Sequence, residues 1–89
     1  MRVILTDLSK DKRGRLYGDC NTTTGVIRIS LKEDRVPLAK TYLHELIHHY
    51  CPWLSESVVA KAENALWRKM NARQRYILWR DLFKRARFK

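Results

Sequence analysis

The chain has 89 residues, 45 % of them hydrophobic and 31 % charged, with a formal net charge of +10. This length allows one small domain near the lower limit for a self-sufficient core and excludes a second catalytic domain. No apolar run approaches the roughly 20 residues that a bilayer demands, and two cysteines, Cys20 and Cys51, are too few for a disulfide-built secreted domain, so a cytoplasmic location without a membrane partner is the default expectation.

The opening run "MRVILTDLSKD" has no long apolar stretch and no small-residue cleavage site. Its segment "RVILT" (2–6) reads as a strand rather than as part of a signal peptide. "DLSKDKRG" follows as a polar connection. "RLYGDCNTTTGVIRISL" then reads as a hairpin, with turn chemistry from Asn21 to Gly25. Alternation over its second arm puts Ile27, Ile29 and Leu31 on one face and Arg28 and Ser30 on the other.

From "KEDRVPLAKTYLHELIHHY" the period becomes helical. Ala39, Leu43, Leu46, Ile47 and Tyr50 form the expected inward stripe, and Pro37 suits the helix start. Pro52 ends the helix near Tyr50 and makes "CPWL" a tight turn. Ser55 is the expected N-cap of a second amphipathic helix, with Val58, Val59, Ala62, Ala65 and Leu66 inward. A third helix is expected from about residue 72 to 89, its apolar residues Tyr76, Ile77, Trp79, Leu82 and Phe83 set between basic ones. The expected whole is one α+β domain over 1–89: a short antiparallel sheet or hairpin on an active-site helix, followed by two further helices.

The first helix carries His44, Glu45 and His48, the pattern His-Glu-x-x-His. Residues four apart lie one turn apart on one side of a helix, so two imidazoles can address one ion. Zinc takes such nitrogens at about 2.0–2.1 Å and wants four ligands, one left for water in a catalytic site. At about 100° per residue, Glu45 lies too far round to be a natural third ligand but suits a general base. The competing reading is two solvated histidines on an amphipathic helix. His49 reads as an orienting or edge residue. For the third ligand, an antiparallel helix hairpin turning at Pro52 sets Glu56 level with His48, and Glu63 about two turns beyond. Glu56 is therefore the first choice and Glu63 the alternative; Asp19, Cys20 and Cys51 are remoter candidates.

"HELIH" resembles the zincin metallopeptidase core motif. The wider stretch "YGDCNTTTGVIRISL…TYLHELIHHYCPWLSESVVAKAENALW" is similar to small phage- and bacteria-associated proteins related to the ImmA/IrrE and SprT-like groups. The resemblance implies a minimal zincin-like fold, with strand 26–31 beside the active helix as an edge for a peptide substrate. It also implies Zn2+ held by His44 and His48, and peptide-bond hydrolysis with Glu45 as base. After the motif, the sequence departs from the better-known patterns, having no Gly-x-x-His or Gly-x-x-Asp. Tyr17, Tyr50 and Arg28 are candidate oxyanion donors.

Charge is concentrated at the back of the chain. From Arg68 onward there are nine basic residues and one acid, Asp81. Such an imbalance points to an anionic partner, either nucleic acid or an acidic protein, with Arg80, Lys84, Arg85 and Arg87 as the candidate contacts. The aromatics of the same segment read mainly as core. Two function classes follow: a zinc metallopeptidase acting on a peptide or protein, and a nucleic-acid-binding or protein-docking module on an inactive or metal-stabilised zincin scaffold.

Overall fold

The computed structural model describes residues 1–6, 8, 18–30 and 37–88. The polar connection after the first strand, apart from Leu8, and Tyr17, Leu31 and Lys89 lie outside the described residues. The elements are β1 (Arg2–Thr6), β2 (Gly18–Asn21), β3 (Val26–Ser30), α1 (Leu38–Tyr50), α2 (Glu56–Lys69), α3 (Ala72–Arg85) and β4 (Ala86–Phe88). The fold is α+β, a mixed four-stranded sheet with three helices.

The sheet runs in the order β2-β3-β1-β4. β2 and β3 form the antiparallel hairpin, with Cys20 opposite Ile27. The turn is closed by Gly25 N–H donating to the Asn21 carbonyl at 2.8 Å. The Asn21 side chain accepts from Thr23 and Thr24 N–H at 3.0 and 3.1 Å. Gly25 has φ 72°, a left-handed conformation that only glycine adopts without strain. β1 pairs in parallel with both β3 and β4. The sheet is thus not purely antiparallel, and β3 is interior rather than an edge; β2 and β4 are the edges. Parallel pairing brings in partners from distant parts of the chain, which local periodicity does not reveal.

One sheet face carries Val3, Leu5, Ile27, Ile29 and Ala86, joined to Tyr42 of α1 and Leu82 of α3 in a single core. Tyr42 is fully buried, and its hydroxyl donates to Asp81 of α3 at 2.6 Å. That bond satisfies the polar end of a large core side chain and ties α1 to α3. Ser30 lies, as expected, on the face opposite Ile27 and Ile29; it is buried there, and its hydroxyl oxygen accepts from Leu8 N–H at 3.5 Å.

The helix starts follow the sequence punctuation closely, but the inward faces do so only in part: of the stripe expected on α1, Ala39 is buried and Leu46 packs against the core. α1 buries Ala39, Thr41, Tyr42 and Glu45, while Tyr50 is 66 % exposed. α1 touches β2, β3, α2 and α3. Most of its circumference is therefore half-buried, and no single apolar stripe decides its orientation. On α2 only Val59 of the expected apolar set is buried, while Val58 and Leu66 are exposed. On α3 only Leu82 is buried; Tyr76 and Ile77 are 57 % and 55 % exposed. α3 also stops at Arg85 instead of running to 89. Its C-cap Ala86 takes an extended conformation, and the chain joins β1 as β4.

At Gly18, α1 packs tightly against the edge strand β2. A Cβ there would lie 2.8 Å from the Arg28 carbonyl oxygen, 3.0 Å from Thr41 Cγ2 and 3.4 Å from Glu45 Cγ. Gly18→Ala is expected to lower stability by about 1–3 kcal/mol, the usual cost of overpacking. Urea unfolding of the two proteins measures it, and an unchanged midpoint would mean that α1 does not seat against β2 in this way.

Candidate metal centre

α1 and α2 form a helix hairpin about the turn at Cys51–Leu54, closed by Leu54 N–H donating to the Cys51 carbonyl at 3.1 Å. Ser55 caps α2, its hydroxyl oxygen accepting from Val58 N–H. The helices run antiparallel, because successive contacts step away from the turn: His48 with Glu56, His44 with Glu63, Lys40 with Asn64.

Glu56 stands in the first turn of α2, where the helix dipole favours a carboxylate. Its two oxygens meet two imidazoles, at 2.6 Å from His44 Nε2 and 2.8 Å from His48 Nε2. One donor atom from each of His44, His48 and Glu56 falls within 4.8 Å of the others. Two imidazole nitrogens and a carboxylate oxygen match the zinc donor set with three protein ligands.

Glu63 is placed differently. It contacts the other nitrogen of His44, Nδ1, at 2.6 Å, and its second oxygen pairs with Lys40 Nζ. Lys40 also donates to the Asn64 side-chain oxygen at 2.8 Å. Glu63 is buried, and it orients the His44 ring from behind. Lys40 was not singled out from the sequence; the available signal was its position four residues before His44, on the same helix side.

His44 lies between two carboxylates. Burial disfavours its charged form, but the hydrogen bond to Glu63 and the charges of Glu45, Glu56 and Glu63 raise its pKa overall. Burial likewise pushes Glu56 upward, yet the two histidines more than offset this and lower it. A neutral imidazole has one N–H, so His44 can donate to both carboxylates only when protonated. With its Nδ1–H kept by Glu63, the proton on Nε2 and a metal ion would compete for one position.

Glu45 points toward the sheet edge, close to Gly18 of β2. It is 4 % exposed, and burial raises its pKa to about 7; the charge of His44 lowers it, while Glu56, Asp19 and Glu63 push it further up. The remaining candidates are not in the cluster. Asp19 pairs with Arg28 across β2 and β3, through Arg28 Nε at 2.9 Å and a second, Nη2 contact. Arg28 thereby belongs to the sheet face opposite the helices, away from the histidines. Cys20 and Cys51 are free, half-buried thiols, and burial with the charges of Glu45 and Asp19 raises the Cys20 pKa. His49 is half-buried, with its Nδ1 lacking a hydrogen-bond partner.

The basic candidates separate. Arg80 and Lys84 are exposed on α3. Arg85 is paired with Asp81 of the same helix at 3.1 Å, and Arg87 belongs to β4 rather than to the helix. No helix among the described residues is long and apolar enough to cross a membrane. Comparison with protein-family models, with curated proteins and with solved structures finds no match for the chain.

Proposed function

We propose that the chain is a zinc-dependent metallopeptidase of zincin type, in which His44, His48 and Glu56 hold the ion and Glu45 is the general base. The observation that carries this reading is the convergence of two imidazole Nε2 atoms and one carboxylate, with a buried glutamate on the same helix as the histidines. Bound zinc would supply Lewis acidity, making a water more acidic and polarising a substrate carbonyl. Glu45, with its pKa near 7, is poised at neutral pH to take a proton from water and pass it to the leaving amine. With its Nδ1–H donated to Glu63, His44 would present the Nε2 lone pair to a bound ion. Lys40, itself anchored to the Asn64 side-chain oxygen, pairs with Glu63 and holds it in that position.

A second reading, a nucleic-acid-binding or protein-docking module on an inactive scaffold, is favoured by the exposed basic face of α3. Both readings accept zinc, and only the first requires hydrolysis. The purified protein is expected to bind about one zinc per chain by elemental analysis. The zinc-loaded form is expected to cleave an unfolded protein such as casein, with activity abolished by a chelator and restored by zinc. The double variant His44→Ala/His48→Ala should lose both metal and cleavage. Full zinc stoichiometry in that variant would overturn the site, and zinc binding without cleavage would select the second reading.

A further inference from the structure

Building on the basic face that carries the second reading above, and independently of whether the metal centre is active, we infer that the outer face of α3 is a binding surface for single-stranded nucleic acid, formed by Arg73, Arg80 and Lys84 together with the aromatic pair Tyr76–Trp79. The inner side of the helix is committed: Leu82 is fully buried in the core, and Asp81 accepts from Tyr42. At about 100° per residue, Tyr76, Arg80, Arg73, Lys84 and Ile77 fall within one arc of about 100°, opposite that inner side. All five are exposed. The one acid of the helix, Asp81, lies outside the arc and is paired with Arg85. Arg75 is also committed, donating to the Trp67 carbonyl at 2.6 Å with its guanidinium 4.4 Å from the centre of the Trp67 ring.

What remains is a row of three cations, with spacings of about 10 and 6 Å along the helix. Tyr76 and Trp79 lie along one flank of the row, their rings nearly parallel at 23° and 6.1 Å between centroids. Both are substantially exposed, Trp79 at 45 %. Trp79 also packs against Phe83, at 4.7 Å between centroids, and with Ile77 the exposed pair makes an apolar patch beside the cations, of the kind that marks an interaction site. An acidic protein would engage the cations but give no reason for the aromatic shelf, and a duplex keeps its base faces stacked internally. A single strand uses both: phosphates on the cations and unstacked bases on Tyr76 and Trp79. With no donor or acceptor set fixed for reading base edges, the surface should depend little on sequence.

The test is fluorescence anisotropy of the full-length protein with a labelled 20-nucleotide oligothymidylate, titrated at about 50 and about 200 mM salt. Binding is expected at the lower salt, to weaken at least about tenfold at the higher, and to exceed binding of a duplex of equal length. Arg73→Gln/Arg80→Gln/Lys84→Gln should flatten the log–log salt dependence by about 2, at about 0.7 per phosphate contact on a single strand. Tyr76→Ala should weaken binding about tenfold without changing that slope. Arg80→Gln, an exposed single change, provides a second variant should the triple one fold poorly, and should flatten the slope by about 0.7. Far-UV circular dichroism and the urea unfolding midpoint check that each variant is folded. Absence of binding at low salt, an unaffected Tyr76→Ala variant, or displacement by polyglutamate as effective as by unlabelled oligonucleotide would each overturn the inference, the last in favour of an acidic protein partner.

Discussion

Glu45→Gln is expected to keep its zinc and to lose peptide hydrolysis by about two to four orders of magnitude, the usual contribution of a positioned general base. Glutamine preserves the shape of the side chain against Gly18 and β2 but cannot take up a proton at neutral pH. The same substitution has a second, independent signature in the metal-free protein. Burial holds the Glu45 pKa near 7 in the folded state, against an ordinary value of 4.5. The folded protein therefore binds this proton more tightly than the unfolded chain does. Stability from this residue is complete below about pH 4.5 and declines as the pH rises toward and through 7. Glutamine has no charge to bury, so metal-free Glu45→Gln should be the more stable protein above pH 7, by up to about 3 kcal/mol, and should show no such advantage near pH 4. Urea unfolding at the two pH values measures this. Comparable turnover of a cleaved substrate by the variant would remove Glu45 from the base role, whatever the stability result.

The second large effect concerns the two glutamates of α2. Removing Glu56 takes away a donor shared between both Nε2 atoms, whereas removing Glu63 releases only the rear of the His44 ring. Glu63→Ala should weaken zinc affinity about 10- to 100-fold, as loss of an orienting partner commonly does. Glu56→Ala should weaken it by more than about 100-fold, because a ligand is lost outright. Competition against a chromophoric chelator gives both numbers, and the reverse order would assign the ion to Glu63. Affinity should also fall on acidification, since zinc must displace the proton on His44 Nε2. The raised His44 pKa makes that competition begin at a higher pH than it would for an unperturbed histidine.

The parts of this arrangement that could be read from the sequence are those fixed by local chemistry. Pro52 and Ser55 set the turn between α1 and α2, and the four-residue spacing puts His44 and His48 on one side. Together these place Glu56 level with His48, without knowledge of the sheet. Asn71 closes a capping box with Gln74, so the start of α3 was also locally encoded. The parts that could not be read depend on distant neighbours. Apolar spacing points α1 inward along Ala39, Leu43, Leu46, Ile47 and Tyr50; Ala39 and Leu46 do meet the core, yet the buried side also includes Thr41 and Glu45, because Gly18 of β2 leaves room there for the helix to approach. The separate roles of Glu56 and Glu63 depend on which imidazole nitrogen each meets, and helical periodicity does not distinguish the two. The three-residue strand β4 carries no period of its own and exists through its pairing with β1.

That pairing has a consequence for how the molecule assembles. β1 is an interior strand whose neighbours are β3 and β4, so Val3 and Leu5 gain their second flank only when Ala86 and Phe88 arrive. The metal-site residues, by contrast, lie within a single helix hairpin and need no such long-range closure. During synthesis, a ribosome-bound chain can build the hairpin first and must wait for its last strand to complete the sheet. Until then β1 presents an open, apolar backbone edge of the kind that pairs with other chains. Truncation before Ala86 should therefore produce aggregation on expression, even though every proposed zinc ligand is still present.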